Sequence, residues 1–304
     1  MKVVIAGGSG LIGRALSSHL ASAGHRVVIL TRDSSRQSPS PTVRHVQWDP
    51  DGSAGAWAIE LDGADAVVNL TGASIADRRW TASRRAELRS SRILPTRNLV
   101  AAIRRVSTRP TVFVQGSAVG FYGVAEGDRE LDESFPPGDD FLADLCVAWE
   151  AEAHPVAALG CRLVILRIGI VLSADGGVVA RLRLPFRLFV GGPVSTGRQY
   201  VSWIHHADLT TMIAWAVTTA SVTGAVNASA TLPVTNARFS AALGRALHRP
   251  SWFPVPAFGL KLVFGELADA LLVNGQRVLP KRALELGFAF AHPTIEEAMD
   301  SCIR

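Results

Sequence analysis

Lysine, tyrosine and cysteine are scarce in this chain of 304 residues, and each scarcity narrows the chemistry available to it. Three cysteines (Cys146, Cys161 and Cys302) show neither CxxC nor metal-ligand spacing. An odd, sparse set of this kind reads as free thiols in a reducing compartment. Eight histidines include the pair His205 and His206, but no cysteine or carboxylate at ligand spacing accompanies them, so no metal site is expected. More simply, Asp208 is expected to cap the helix that follows and one histidine to pack beneath a neighbouring lobe. The sequence lacks a run of about 18 uncharged apolar residues, which excludes a spanning helix. It begins with a strand rather than a signal-peptide layout. A cytoplasmic protein without a membrane partner is therefore expected.

Charged residues are few, at 19%, against 48% hydrophobic, which suits a globular chain with a substantial core. The net charge of +5 is unevenly spread. Residues 77–109 hold ten arginines against Asp77 and Glu87, a local +8, so the rest of the chain sums to −3. With no matching basic or aromatic stripe elsewhere, this block reads as a solvated helix face rather than a nucleic-acid surface. One or two of its arginines are expected to serve an anionic ligand.

The most informative stretch present is Ile5-Ala-Gly-Gly-Ser-Gly-Leu-Ile-Gly13. Gly7, Gly10 and Gly13 follow the apolar run Val3–Ala6 and open a helical pattern carried by Leu11, Ile12, Leu16 and Leu20. Glycines there let the backbone approach a pyrophosphate, which the helix N-terminus then holds, with Leu11 and Ile12 beside it. Strands are expected at 3–6, 27–31, 43–48, 66–70, 111–116 and 162–168, with helices at 11–23, 81–106 and 140–159 between them. This alternation predicts an α/β fold, a Rossmann-type doubly wound parallel sheet with a smaller C-terminal substrate lobe. The Rossmann domain is assigned to 1–170, with 205–230 returning to it. The lobe is assigned to 171–204 and 231–304, with an apolar helix at 256–272 and an amphipathic one at 294–303. The polar stretch 34–42 is the candidate mobile loop.

The second strand ends in Thr31-Arg32, 19 residues after Gly13, where an acid would favour NAD and an arginine accommodates a 2′-phosphate. Arg32 can pair with a phosphate and Thr31 can donate a hydrogen bond, so NADP(H) is expected. Asp33 stands next to them, and a small rotation would exchange the two roles. Alternatively, Arg32 merely lies along a surface loop. The turn Leu70-Thr71-Gly72 at the end of the fourth strand can pass beneath the cofactor's ribose, although glycine there also has a purely conformational use.

Together these motifs resemble the short-chain dehydrogenase/reductase superfamily in its extended, sugar-nucleotide-epimerase-like form. Gly116–Gly123 looks like the segment carrying the family's catalytic serine, Ser117. Arg167–Val171 is similar to the turn beside the nicotinamide, which brings Val171 to the cofactor. Ile204–Leu209 resembles a further element of the extended form. Ser90–Ile93, Pro136–Phe141, Trp149-Glu150 and Gly275–Pro280 point to an atypical epimerase-family subgroup with its own C-terminal module, covering about 250–304. The resemblance implies a tyrosine acid/base with a lysine four residues later, but the chain contains no Tyr-xxx-Lys. The family's spacing from Ser117 lands at Leu142 and Cys146 instead. One reading keeps chemistry, with Ser117 as hydroxyl donor, Tyr122 as a possible proton source and Arg92 in place of the lysine's charge. The resembling tyrosine ordinarily packs at the strand end, which speaks against Tyr122. Glu87 could meet a ribose hydroxyl, or be an ordinary charged-face neighbour. These residues imply an oxidoreductase on an unidentified carbonyl or hydroxyl compound. The alternatives are a catalytically silent NADP(H)-binding regulator and a nucleotide-sugar epimerase.

Overall fold

A computed structural model describes residues 1–35, 40–52, 55–125 and 127–303. Seven parallel strands form the central sheet: β1 (Lys2–Ala6), β2 (Arg26–Thr31), β3 (Val43–Gln47), β4 (Ala66–Asn69), β5 (Val112–Ala118), β6 (Arg162–Ile168) and β7 (Gly224–Ala228). Their order is β7-β6-β5-β4-β1-β2-β3. It reverses between β1 and β4, which opens a crevice at the carboxyl ends of the strands. All four residues of β4 are buried, as an apolar strand covered by helices on both faces should be.

One face of the sheet is covered by α1 (Leu11–Ser22) and α5 (His206–Thr218), whose Leu16, Leu20, Leu209, Met212 and Ile213 join one core. The other is covered by α2 (Ala82–Ile103) and α3 (Phe141–Ala153), with Leu99, Val100, Ile103 and Ala153 in a second core. Thus α5 and β7 stand with the central sheet although they come late in the chain. Before and after them in sequence, α4 (Gly177–Arg187) and α6 (Asn236–Ala246) share a separate core in the smaller lobe. The lobe packs the terminal helix Ile295–Ile303 against α6 around Trp203, Phe239, Leu243 and Met299.

Beyond end shifts such as that of α2, which stops at Ile103 and not 106, three elements differ from the sequence expectation. β5 runs two residues further than predicted, because Ser117 and Ala118 continue the pairing with Arg167 and Ile168. The helix expected at 140–159 gives way after Ala153 to a tighter 3₁₀ turn, His154–Leu159, which contains Pro155. The apolar helix expected at 256–272 stops at Phe264, because Gly265 takes φ +61° and its amide closes on the Lys261 carbonyl. Of the polar loop 34–42, positions 36–39 lie outside the described residues. No described helix is long and apolar enough to cross a membrane.

Candidate active site

At the crevice the chain turns from β1 into α1 through backbone that no side chain could share. A Cβ on Gly7 would lie 2.6 Å from the Leu70 carbonyl oxygen, and one on Gly13 would lie 2.4 Å from the Gly7 oxygen. Gly7 also has φ +81°, which glycine adopts without the usual penalty. Two cavities meet here. The first, of 410 Å³, is lined by Gly7, Gly10, Thr31, Arg32 and Glu87 among others. The second, of 480 Å³, is lined by Ile12, Arg92, Ser117 and Val171 among others. Leu70, Thr71 and Gly72 form a wall of both.

Three expected site residues stand elsewhere. Gly13 lies beneath the Gly7 turn as a packing contact. Leu11 faces a separate small cavity shared with Asp175 and His206. Tyr122 is absent from the described lining of both cavities. Arg32 is exposed at the rim of the first cavity, and its carbonyl is tied by Gln47 Nε2 at 2.6 Å. The Asp33 carboxylate accepts from the Ser35 amide (3.1 Å) and hydroxyl (2.6 Å). Asp33 is not among the residues lining that cavity. Glu87 accepts from Arg84 and Arg78, which together hold its carboxyl below the usual carboxylate range.

Arg92 is buried and donates to the carbonyls of Leu88 and Ala73, each at 3.0 Å. Its guanidinium lies over the Trp149 ring at 5.2 Å, and no described carboxylate pairs with it. Burial pulls its pKa down to about 10, so it remains a cation at neutral pH. A single desolvated positive charge on a cavity wall favours an anionic or electron-rich group nearby.

Behind the second cavity runs a buried polar chain that sequence reasoning missed. Ser117 Oγ donates to Glu150 Oε1 at 2.6 Å. Glu150 accepts two further bonds from Arg167, Nε at 3.1 Å and Nη2 at 3.0 Å. Arg167 Nη1 donates to the Tyr122 hydroxyl at 3.1 Å, which donates in turn to Asn227 Oδ1 at 2.7 Å. Tyr122 is thus engaged inside the protein, and burial raises its pKa further. The far side of Glu150 and Arg167 borders a third cavity, of 420 Å³, with His154 and Thr223 on its wall. Cys146, where the family would place its lysine, lines the second cavity as a neutral thiol. Burial, aided by the Glu150 charge, pushes its pKa up to about 12. One signal could have found this network: Glu150 falls on the same helix face as Leu142, Cys146 and Trp149, and a carboxylate there requires a buried cation.

The histidine region departs from expectation in one respect. Asp208 does not cap α5; it accepts the amides of Ala291 (2.8 Å) and His292 (3.0 Å). The cap is His205, whose Nδ1 accepts from the Ala207 amide at 3.3 Å. Among the described residues no cluster of histidine, cysteine and carboxylates could hold a metal ion. The His205 ring stacks on His292 at 3.8 Å, and burial lowers its pKa to about 3. The unfolded chain therefore takes up a proton near pH 6.5 that the folded ring refuses until about pH 3. Stability from this site is complete above pH 6.5 and declines as pH falls below it. His205→Asn keeps a capping side chain and is expected to flatten that acid limb, as read by urea midpoints between pH 4 and 7.

The glycine cradle, the two joined cavities and the strand order define a dinucleotide-binding α/β protein. The NAD dependent epimerase/dehydratase family matches residues 3–229, and a domain of unknown function, DUF1731, matches residues 255–302. The chain belongs to the NAD dependent epimerase/dehydratase family. Epimerase family protein Mb2239 of Mycobacterium bovis is 41% identical over 297 residues, covering 98% of this chain and 96% of the relative. YfhF of Bacillus subtilis, also an epimerase family protein, is 37% identical over 303 residues, covering 100% and 98%. Human epimerase family protein SDR39U1, crystallised with NADPH, superposes with a TM-score of 0.88 at 33% identity, covering 100% and 99%. The epimerase-family resemblance and the separate C-terminal module read from the motifs are both shown.

Proposed function

We propose that this protein is an NADP(H)-dependent oxidoreductase acting on a small, largely apolar carbonyl or hydroxyl compound. The observation carrying the proposal is the pair of cavities joined at Leu70–Gly72, one rimmed by Arg32 and the other reached by Ser117. The turn through Gly7 and Gly10, packed on Gly13, fits a pyrophosphate, and Arg32 suits a 2′-phosphate while Asp33 is turned to Ser35. The NADPH in the human relative's crystal structure supports the same choice. When bound, the cofactor supplies or accepts a hydride at its nicotinamide ring.

This chain's own residues handle orientation and the proton. Arg92 and the Leu70–Gly72 turn form a cationic wall, and Ile12 and Val171 exclude water beside it. Ser117 can accept a hydrogen bond from a substrate hydroxyl while passing its own proton to the Glu150 carboxylate. The reverse transfer serves carbonyl reduction. Arg92 is the one charged side chain described on this wall, which disfavours a nucleoside-diphosphate sugar bringing two further negative charges. The alternative, a silent NADP(H)-binding regulator, is favoured by Leu142 and Cys146 standing where the tyrosine and lysine would be.

Calorimetry with NADPH and NADH tests the cofactor assignment. The wild type is expected to prefer NADPH, and Arg32→Ala to lose about 1.5–3 kcal/mol of that preference, the worth of a charged hydrogen bond. Equal affinities in the unmodified protein overturn it. NADPH oxidation against a panel of carbonyl compounds separates enzyme from regulator.

A further inference from the structure

The C-terminal lobe exposes a face that is apolar, edged by arginine and locally strained. Of the fourteen exposed large hydrophobic side chains among the described residues, eight fall in two short segments, 184–190 and 252–262. Phe258 (75% exposed) and Leu262 (72%) stand one turn apart on the helix Ala257–Phe264, and Leu184 and Leu188 are spaced likewise at the end of α4. Trp252, 74% exposed, lies on the loop between.

The two segments are held together. Val194 bridges Val255 through the bonds of the Ser195 amide to the Val255 carbonyl and the Val255 amide to the Pro193 carbonyl. Arg249 lies over the Phe189 ring at 5.1 Å. The non-glycine residues with positive φ among those described are Phe189, Ser195 and His248, and all three flank this face. Left-handed backbone is costly for a bulky residue, and such outliers gather where function demands them. Phe189 bears that cost while its side chain is turned to solvent.

Charge selects the partner. From 176 to 265 the chain carries seven arginines and Lys261, against the single acid Asp208, which is buried. Lys261 pairs with Asp269, whereas Arg187 and Arg249 have no carboxylate partner among the described residues. A second copy docked on itself would set Arg187 and Arg249 against their own counterparts, whereas Arg181, Arg238 and Lys261 are already offset by Asp77, Glu296 and Asp269. Leu184, Leu188, Val190 and Leu262 add nothing to base stacking, which disfavours nucleic acid. Exposed tryptophan and phenylalanine beside aliphatic knobs and arginine match the water–lipid interface.

We propose that this face seats on an anionic lipid surface, with Trp252, Phe253, Phe258 and Leu262 in the interface and Arg187 and Arg249 meeting the headgroups. A protein lying on a membrane needs no spanning helix. Seating it so brings lipid beside the wall of the 480 Å³ cavity. After the helix Ala257–Phe264 ends at Gly265, the chain leads on to Ala270–Leu272, which line it, and Gln199 ties the Leu272 and Val194 carbonyls together.

Co-sedimentation tests this with the full chain and vesicles of phosphatidylcholine alone or mixed equally with phosphatidylglycerol. Binding is expected only to the anionic vesicles and is expected to weaken as salt rises. Phe258→Glu and Leu262→Glu, both at exposed sites that the fold tolerates, are each expected to lower partitioning at least tenfold. Arg187→Glu is expected to lower it about fivefold or more, as loss of a surface cation should. Failure to sediment with anionic vesicles at low salt overturns the proposal, as does binding unchanged by these substitutions. Light scattering that finds a dimer dissociated by Phe258→Glu also overturns it, in favour of a second copy.

Discussion

Glu150→Gln is expected to lower turnover by roughly 10²–10⁴-fold, the range for losing a positioned acid–base group, while leaving NADPH affinity unchanged. Glutamine keeps the size of the side chain and an oxygen to accept the Ser117 hydroxyl, but it cannot take a proton. Tm falls on either reading, because the substitution strands the buried Arg167 cation, but a merely structural role would leave the pH dependence of kcat unaltered. A relay role removes one ionisation from that profile and changes the solvent isotope effect. Ser117→Ala should cost as much, and the double variant little more, because the two act in series. Full turnover with an unaltered pH profile in Glu150→Gln would refute the relay. The measurement is single-turnover NADPH oxidation with whichever carbonyl compound supports it.

Arg167→Met is the second large effect, and it falls on stability. Glu150 and Arg167 are both buried, at 5% and 6% exposure, and two bonds join them. Burial opposes the Arg167 charge, yet the Glu150 contacts outweigh it and hold the guanidinium above its ordinary pKa. Removing the cation leaves a carboxylate uncompensated in the interior, which costs about 3–5 kcal/mol. The urea midpoint should fall accordingly at unchanged slope. Combining Arg167→Met with Glu150→Gln removes the stranded charge and should recover a large part of the loss. A single-variant cost below about 1 kcal/mol would mean that water reaches the pair and screens it.

The parts of this molecule legible in the sequence were those encoded locally. Val3–Ala6 followed by Gly7, Gly10 and Gly13 specifies a strand, a tight turn and a helix within a dozen residues, and each is present. Arg32 at the end of β2 was legible because strand spacing fixes its place. The buried polar chain was not. Glu150 and Arg167 are 17 residues apart, on a helix and on a strand, and only the packing of α3 on β5, the neighbour of β6, makes them partners. Within α3 the carboxylate is masked by an apolar pattern that reads as ordinary core. Asp208 failed differently: its position suggested a cap, but amides from 83 and 84 residues later claimed its oxygens. A contact from so far along the chain leaves no trace in local spacing.

The third cavity, behind Glu150, gives the protein a rear vent. On the proposed relay, a proton delivered to that carboxylate would face a cavity walled by His154 and Thr223 and separate from the 480 Å³ one that takes the substrate. Buffer molecules too large to pass the substrate mouth should therefore still accelerate proton exchange.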